Sequence, residues 1–499
     1  MNLTNASPNQ ARRPPFRRDR NRSEFVFLIE TTVGFSALLI SLTVLYQNRE
    51  SELFPAIAAL VTIVLGTIAF LEVLRRRDRR ASPILQVGGF YGVVIMLYAA
   101  YPLAIFIAVG GVYTVNQDLR LYLVQPTASE LARLGWWYAT YLAGFAILYS
   151  AITLRSGVRV GRVTSKPDRD LIGVVLFLFL MIHAVLFGIR VFFDMTADTY
   201  SGGYLAVQQL PRFARQIVSK SSAMLPTLQL LFLTLLFTSY ERCRKYIFAF
   251  LGFVAIIELA QGGGRTELFL VLVAAAVLYH HNVRPISVKV TVMGGSAALL
   301  LFLALGAARG GATPDGFFSS NREFDRSSEF EAVMGNAVDL LYLRDAEGAF
   351  IGQPGLYLAE LAALIPQQLL PFEKTSASLW YLNRYYPEAA ATGGGLAFGV
   401  VSEAVVGHGW LELIWRGAFV GLVLGYAHRF LASRKNSYVG LLFYVWLFVW
   451  SYQTVRATTF YLVQALVYSL LVPLATVYFL RYLIGFRRPV RKFLRLSAR

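Results

Sequence analysis

Apolar runs recur along almost the whole chain, separated by short polar stretches. Each is close to the roughly 20 residues that a helix needs to cross a bilayer core. The pattern predicts an all-α, polytopic integral membrane protein of about twelve spans. They fall near 25–46, 53–74, 87–111, 136–154, 171–193, 223–240, 246–260, 268–280, 288–306, 411–428, 438–452 and 459–484. Segment 396–406 is apolar but short and reads as a further half-span. The expected organisation is a tail (1–24), a bundle of nine spans (25–306) carrying a loop at 194–222, a large loop (307–410), three more spans (411–484) and a second tail (485–499).

Composition agrees with that pattern. Hydrophobic residues make up 56% of the 499 and charged residues 15%, against about 25% charged in soluble chains. The mean hydropathy is +0.53, which excludes a soluble enzyme. The one cysteine, Cys243, permits neither an intrachain disulfide nor a CxxC zinc or redox pattern. The residues ahead of the first span are polar and arginine-rich. They predict a disordered basic tail lying on anionic lipid, and a signal anchor rather than a cleaved signal.

The net charge of +18 is informative through where the cations lie. A basic stripe would suggest nucleic acid, yet here the cations gather in short clusters between apolar runs, as membrane topology requires. If the chain starts inside and alternates sides, inner segments hold 30 of the 47 Lys and Arg and outer segments 14. The remaining three, Arg190, Arg416 and Arg481, lie in or beside spans. Both ends then face the cytoplasm, and the two longest loops, 194–222 and 307–410, face outward. Within the second, Leu358, Leu361, Ala362, Ile365 and Leu369 share one helical stripe, which predicts an interfacial helix or one packed over the bundle.

Candidate chemistry gathers on that outer side. Arg190, Arg265, Arg309 and Arg456 all fall at interface depth, where topology gives no reason for them. Arginine stays charged when desolvated and grips phosphate oxygens bidentately. Arg265 follows Gly262-Gly263-Gly264 and opens a helix, so close backbone approach and a helix N-terminus would both favour an anion. Glu403 sits within the apolar stretch Val400–Val406, and His408 lies five residues on between Gly407 and Gly409. Either suits a general base beside a hydroxyl. A hydrogen-bonded interfacial histidine is the plainer account of His408, and snorkelling arginines compete with a site at every position. His183, His280 and His281 fit ordinary packing roles. No HExxH, P-loop, Rossmann or paired-Asp metal pattern occurs, so neither a cofactor nor a metal is expected.

At these residues the chain resembles the bacterial O-antigen and exopolysaccharide repeat-unit polymerases of the Wzy type. The resemblance rests on Gly263-Gly264-Arg265-Thr266-Glu267 between spans, the large late loop, and the run Gly393-Gly394-Gly395 … Ser402-Glu403 … Gly407-x-Gly409 before a span. Arg456 beside the last span also fits. Family members with two outer loops carry an arginine followed by a glycine eleven positions on. Arg344 with Gly355 and Arg384 with Gly395 meet that spacing, whereas Arg212 and Arg215 in the first loop do not. The likeness covers roughly 180–460 and is carried mainly by topology.

It implies a metal-independent glycosyltransferase of the bacterial inner membrane, active on the periplasmic face. Such an enzyme joins undecaprenyl-diphosphate-linked oligosaccharide donor and acceptor, and a chain-length regulator is a possible partner. Glu403 or His408 would assist the acceptor hydroxyl, and Arg190, Arg265, Arg309, Arg456, Arg344 and Arg384 would bind substrate, chiefly its diphosphate. An O-antigen ligase shares topology and carrier. A lipid-linked glycan transporter or flippase would instead carry charged residues at mid-span on many helices, and such positions are few here.

Overall fold

The computed structural model describes residues 51–76, 82–108, 126–154, 169–193, 210–260, 265–309, 329–347, 376–387, 397–433 and 437–483, with short pieces between 356 and 371. Among them the chain is helical, with no strand. The helices are α1 (Phe54–Arg75), α2 (Val87–Ala108), α3 (Ala128–Leu154), α4 (Arg169–Phe192), α5 (Arg212–Phe237), α6 (Tyr240–Ala260), α7 (Arg265–Asn282) and α8 (Val288–Arg309). They continue with α9 (Glu329–Glu347), α10 (Ala377–Tyr385), α11 (Val400–Val406), α12 (Trp410–Ser433), α13 (Tyr438–Trp450) and α14 (Gln453–Arg456). The last, α15 (Tyr461–Leu483), carries a π-helical turn at Leu466–Leu471.

Seven of the described stretches are long and apolar enough to cross a membrane: α1, α2, most of α4, α5 and α12, α13 continued through α14, and α15. The expected span 25–46 and both basic tails lie outside the described residues. Helix starts differ from the expected ones where hydropathy marks the apolar core but not the helix. α5 begins at Arg212 rather than 223, and α3 at Ala128 rather than 136. Their first turns are polar, so the helix outruns the apolar segment. The expected loop 194–222 shortens accordingly. The late loop holds α9, α10 and α11. Of its amphipathic stripe, Leu358 and Leu361 are outside the described residues; Ala362 is buried in a 3-10 turn, and Ile365 and Leu369 are exposed.

Large apolar side chains face outward along α4, α6 and α8; Phe187 is 69% exposed and Met293 73%. A soluble monomer rarely shows such a surface, and a bilayer supplies the apolar solvent that removes its cost. The protein is thus an α-helical membrane protein.

Among the described residues the most extensive contact is that of α3 with α12. A Cβ at Gly417 would stand 2.3 Å from the Tyr141 carbonyl oxygen, and one at Gly421 2.5 Å from that of Phe145. Gly417, Gly421 and Gly425 recur every four residues, so they form one smooth stripe on which a second backbone lies directly. Beside this seam Tyr91, Tyr141, Phe145 and Tyr149 fill the interior; Tyr91 and Phe145 meet edge to face at 4.6 Å. A second group, α4 to α8, packs among itself and joins the first through α13.

The loops at one end of the bundle meet there. Ser82 N–H donates to the Ile286 carbonyl at 3.2 Å, and the Tyr444 hydroxyl accepts from Val87 N–H at 3.1 Å. At the other end, the starts of α3 and α12 and the α14–α15 junction gather around α11, beside α9.

Candidate functional site

The short helix α11 is the centre of that second end. All seven of its residues are buried. Gly399 starts it at φ +87, a conformation that L side chains rarely adopt, and a Cβ there would lie 2.4 Å from Val333 of α9. Gly399 N–H donates to the Ala457 carbonyl at 3.0 Å, and Asn336 of α9 holds the Ala397 carbonyl at 2.7 Å. After Val406 the chain turns within three residues. Gly409, also at positive φ, donates to the Ala404 carbonyl at 2.8 Å, and α12 follows at once. This turn brings Glu403 on α11 against Arg416, one turn beyond Glu412 on α12.

Arg416 is 1% exposed and meets three carboxylates. Its Nη1 donates to Glu403 Oε2 at 2.9 Å and its Nε to Glu412 Oε1 at 2.7 Å. Nη2 lies 2.5 Å from that same Glu412 oxygen and 3.6 Å from Glu360 Oε2. The guanidinium also rests 4.9 Å from the centre of the Trp415 ring. The second Glu412 oxygen accepts the His408 backbone N–H at 2.8 Å. Glu403 Oε2 further accepts both the backbone N–H and the hydroxyl of Thr459, at 3.0 and 2.9 Å, from the start of the last span. Burial pushes the Glu403 carboxyl well above the usual carboxylate range, against the pull of the Arg416 charge. Removing a charge from water at this depth is tolerable only because it is paired and hydrogen-bonded.

A row of buried hydroxyls lies near this cluster. Tyr141 on α3 bonds Tyr91 on α2 at 2.6 Å, and Tyr91 bonds Thr454 on α14. A second buried polar cluster lies between α9 and α10, where the Tyr381 and Tyr386 hydroxyls both donate to Asp339. Burial and the Asp339 carboxylate push the Tyr381 phenol well above its ordinary range.

The residues singled out from sequence fare unequally. Glu403 is central, but as a member of an ion-paired network rather than as an isolated base. His408 is exposed at the α11–α12 turn. Arg344 reaches α11 from α9, donating to the Val405 carbonyl at 3.1 Å. Arg456 pairs with Glu329 at 2.7 Å, and Tyr98 donates to the same carboxylate oxygen. Arg384 lies over its neighbour Tyr385, exposed on α10. Arg190 is near the end of α4, Arg265 opens α7 and Arg309 closes α8; their side chains lie outside the described residues, as do Gly262–Gly264, Gly355 and Gly393–Gly395. The structure therefore gathers Glu403, His408, Arg344 and Arg456 about α11. Among the described residues the elements packed most extensively on α11 are α3, α9, α12 and α14, whereas the other three arginines belong to α4, α7 and α8.

Sequence reasoning missed Arg416, Glu412, Glu360 and Thr459. Arg416 and Glu412 carried a usable signal, an opposite-charge pair at i,i+4 near the start of an apolar span.

No family model, curated protein or solved structure matches the chain.

An apolar groove of about 260 Å³ runs between α12, α13 and α15, walled by Phe419, Val423, Phe443, Leu462 and Leu466. Thr459 lines its edge, so one residue belongs to both the groove and the charged cluster. The arrangement sets a hydrocarbon-compatible channel beside a buried carboxylate, with Arg344 and Arg456 close to the same short helix.

Proposed function

We propose that the chain is a membrane glycosyltransferase that polymerises undecaprenyl-diphosphate-linked oligosaccharide repeat units, with α11 at the centre of its active site. The observation carrying this reading is the buried Glu403, held by Arg416 and Thr459 at the edge of an apolar groove. Ionisable groups at membrane depth mark function by default, and a lipid-linked sugar needs an apolar path beside a polar reaction centre. In the same proposal the chain has twelve spans with both ends in the cytoplasm, and the α11 end faces the periplasm. That sidedness is supported by the segments that meet there: the cation count assigns the starts of α3 and α12 and the α14–α15 junction to the outer side.

In the reaction, an acceptor sugar hydroxyl attacks the anomeric carbon of the donor glycan. A carbon–oxygen bond forms there as the bond from that carbon to the carrier diphosphate breaks. The electron pair leaves with the diphosphate, and the hydroxyl proton passes to a protein base. Glu403 is that base in this proposal, and His408 lies near enough along the chain to be its rival. Fixed cations stabilise the leaving diphosphate. Arg456 and Arg344 are favoured for this by their proximity to α11, while Arg190, Arg265 and Arg309 keep the role that the family resemblance gives them.

The test is genetic. In a strain lacking the chain, surface glycan run on a gel should show single repeat units instead of a ladder. Full-length protein should restore the ladder, and Glu403→Gln at equal expression should not. Polymer accumulating on the carrier instead would identify a ligase, and loss of outward-facing repeat units a flippase.

A further inference from the structure

Three carboxylates, Glu360, Glu403 and Glu412, surround one guanidinium in a buried cluster. Formal charge does not balance if all three are ionised. Glu412 is the best compensated, accepting two nitrogens of Arg416 and the His408 backbone N–H. Glu403 uses only one oxygen. Its Oε2 takes Arg416 and Thr459, while its Oε1 is buried without a hydrogen-bond donor, and Glu360 Oε2 is in the same condition. Both carboxyl groups meet the same guanidinium, and each leaves one buried oxygen that no donor reaches. Both line a cavity of about 20 Å³, walled also by Leu356, Ala377 and Val406. That is room for about one water molecule.

We propose that Glu360 and Glu403 share a single proton across this cavity, forming a buried proton-holding site. One proton turns two mutually repelling acceptors into a donor and an acceptor, and cuts the cluster's formal charge from −2 to −1. The other charged or titratable groups near Glu403 do not supply the missing donor. From α12, Glu412 adds a negative charge and Arg416 is directed to Oε2. From α3 and α2, the Tyr141 and Tyr91 hydroxyls bond each other and Thr454. From α9 and α14, Arg344 is given to the Val405 carbonyl and Arg456 to Glu329. On α11 itself, Glu403 is the one ionisable residue. The proton site stands on this geometry alone. Its use rests on the transferase reading above: the proton released by the acceptor hydroxyl converts the carboxyl–carboxylate pair into two carboxylic acids.

The decisive variant is Glu360→Gln, whose amide N–H stands where the shared proton would, leaving Glu403 ionised against Arg416. Full-length protein in lipid nanodiscs is examined by infrared spectroscopy and by thermal unfolding across pH, without substrate. Wild type should show a protonated-carboxyl C=O band at neutral pH that shifts on exchange into D₂O, and Glu360→Gln should lose it. A proton held more tightly in the folded state stabilises fully below the carboxylate's unfolded pKa of about 4.3, and is lost as pH rises through the folded value. The wild-type Tm should therefore fall as pH rises from mildly acidic to mildly alkaline, and Glu360→Gln should flatten that slope. An absent wild-type band, a band retained in Glu360→Gln, or a Tm raised by sodium chloride but insensitive to pH would each overturn the proposal. If Glu360→Gln does not fold, the wild-type band and Tm slope decide between the same outcomes. A strain that makes no ladder tests the transferase reading separately, because neither of these measurements involves a glycan.

Discussion

Arg416 shows how one residue can hold a site together without being its reactive group. It joins α12 to α11 and to the segment bearing Glu360, meeting Glu360, Glu403 and Glu412 with one guanidinium. Truncating one partner of a buried ion pair strands the other, at a cost of about 3–5 kcal/mol. Arg416→Ala should therefore lower stability by that order, visible as a large drop in Tm in nanodiscs. Arg416→Lys keeps the charge but not the planar fork, and should fall between the two. Equal Tm values for Arg416→Ala and wild type would contradict the network. A milder outcome is expected at the second polar cluster. Tyr381→Phe removes one of the hydroxyls donating to Asp339, while Tyr386 still donates. The expected loss is about 1 kcal/mol, measured by the same unfolding assay.

At the scale of elements, the α3–α12 seam depends on missing side chains. Gly421→Leu would push a side chain into the Phe145 backbone carbonyl, 2.5 Å from the first added carbon. Backbone cannot yield as a flexible side chain can. The variant should lose its monodisperse peak on size exclusion, whereas Gly173→Leu, which faces open space on α4, should leave it unchanged. The sequence reading did not single out this seam, although Gly417, Gly421 and Gly425 stand four residues apart in it. Glu403 was legible, because a charge within Val400–Val406 is too costly to be incidental. Its partners were not. Thr459 is 56 residues away and Arg416 looked like a span-edge cation. Glu360 lies opposite the helical stripe of Leu358, Leu361, Ala362, Ile365 and Leu369, where the period predicts an exposed acid. Hydropathy registers what a segment dissolves in; it carries no record of which distant segment completes a charge. For the same reason it located the apolar cores of α3 and α5 but not their polar first turns.

For the whole molecule, the lipid-facing belt and the seven apolar helices make membrane insertion secure, and sidedness becomes the next question. The sole cysteine is a natural reporter of it. Cys243 lies in the short cationic link Glu241–Lys245 at the start of α6, assigned to the cytoplasmic side by the cation count. In intact cells, impermeant maleimide should leave Cys243 unmodified. In a Cys243→Ser background it should label a cysteine introduced in place of Ser376, just before α10. Labelling of Cys243 alone would invert the assignment, and with it the periplasmic placing of α11. Purified protein in liposomes, supplied with undecaprenyl-diphosphate-linked repeat units and no other enzyme, should convert them into a ladder of longer carrier-linked glycans, and Glu403→Gln protein of the same fold should not. Repeat units left unjoined by wild-type protein, or a ladder formed equally well by Glu403→Gln, would contradict the transferase assignment.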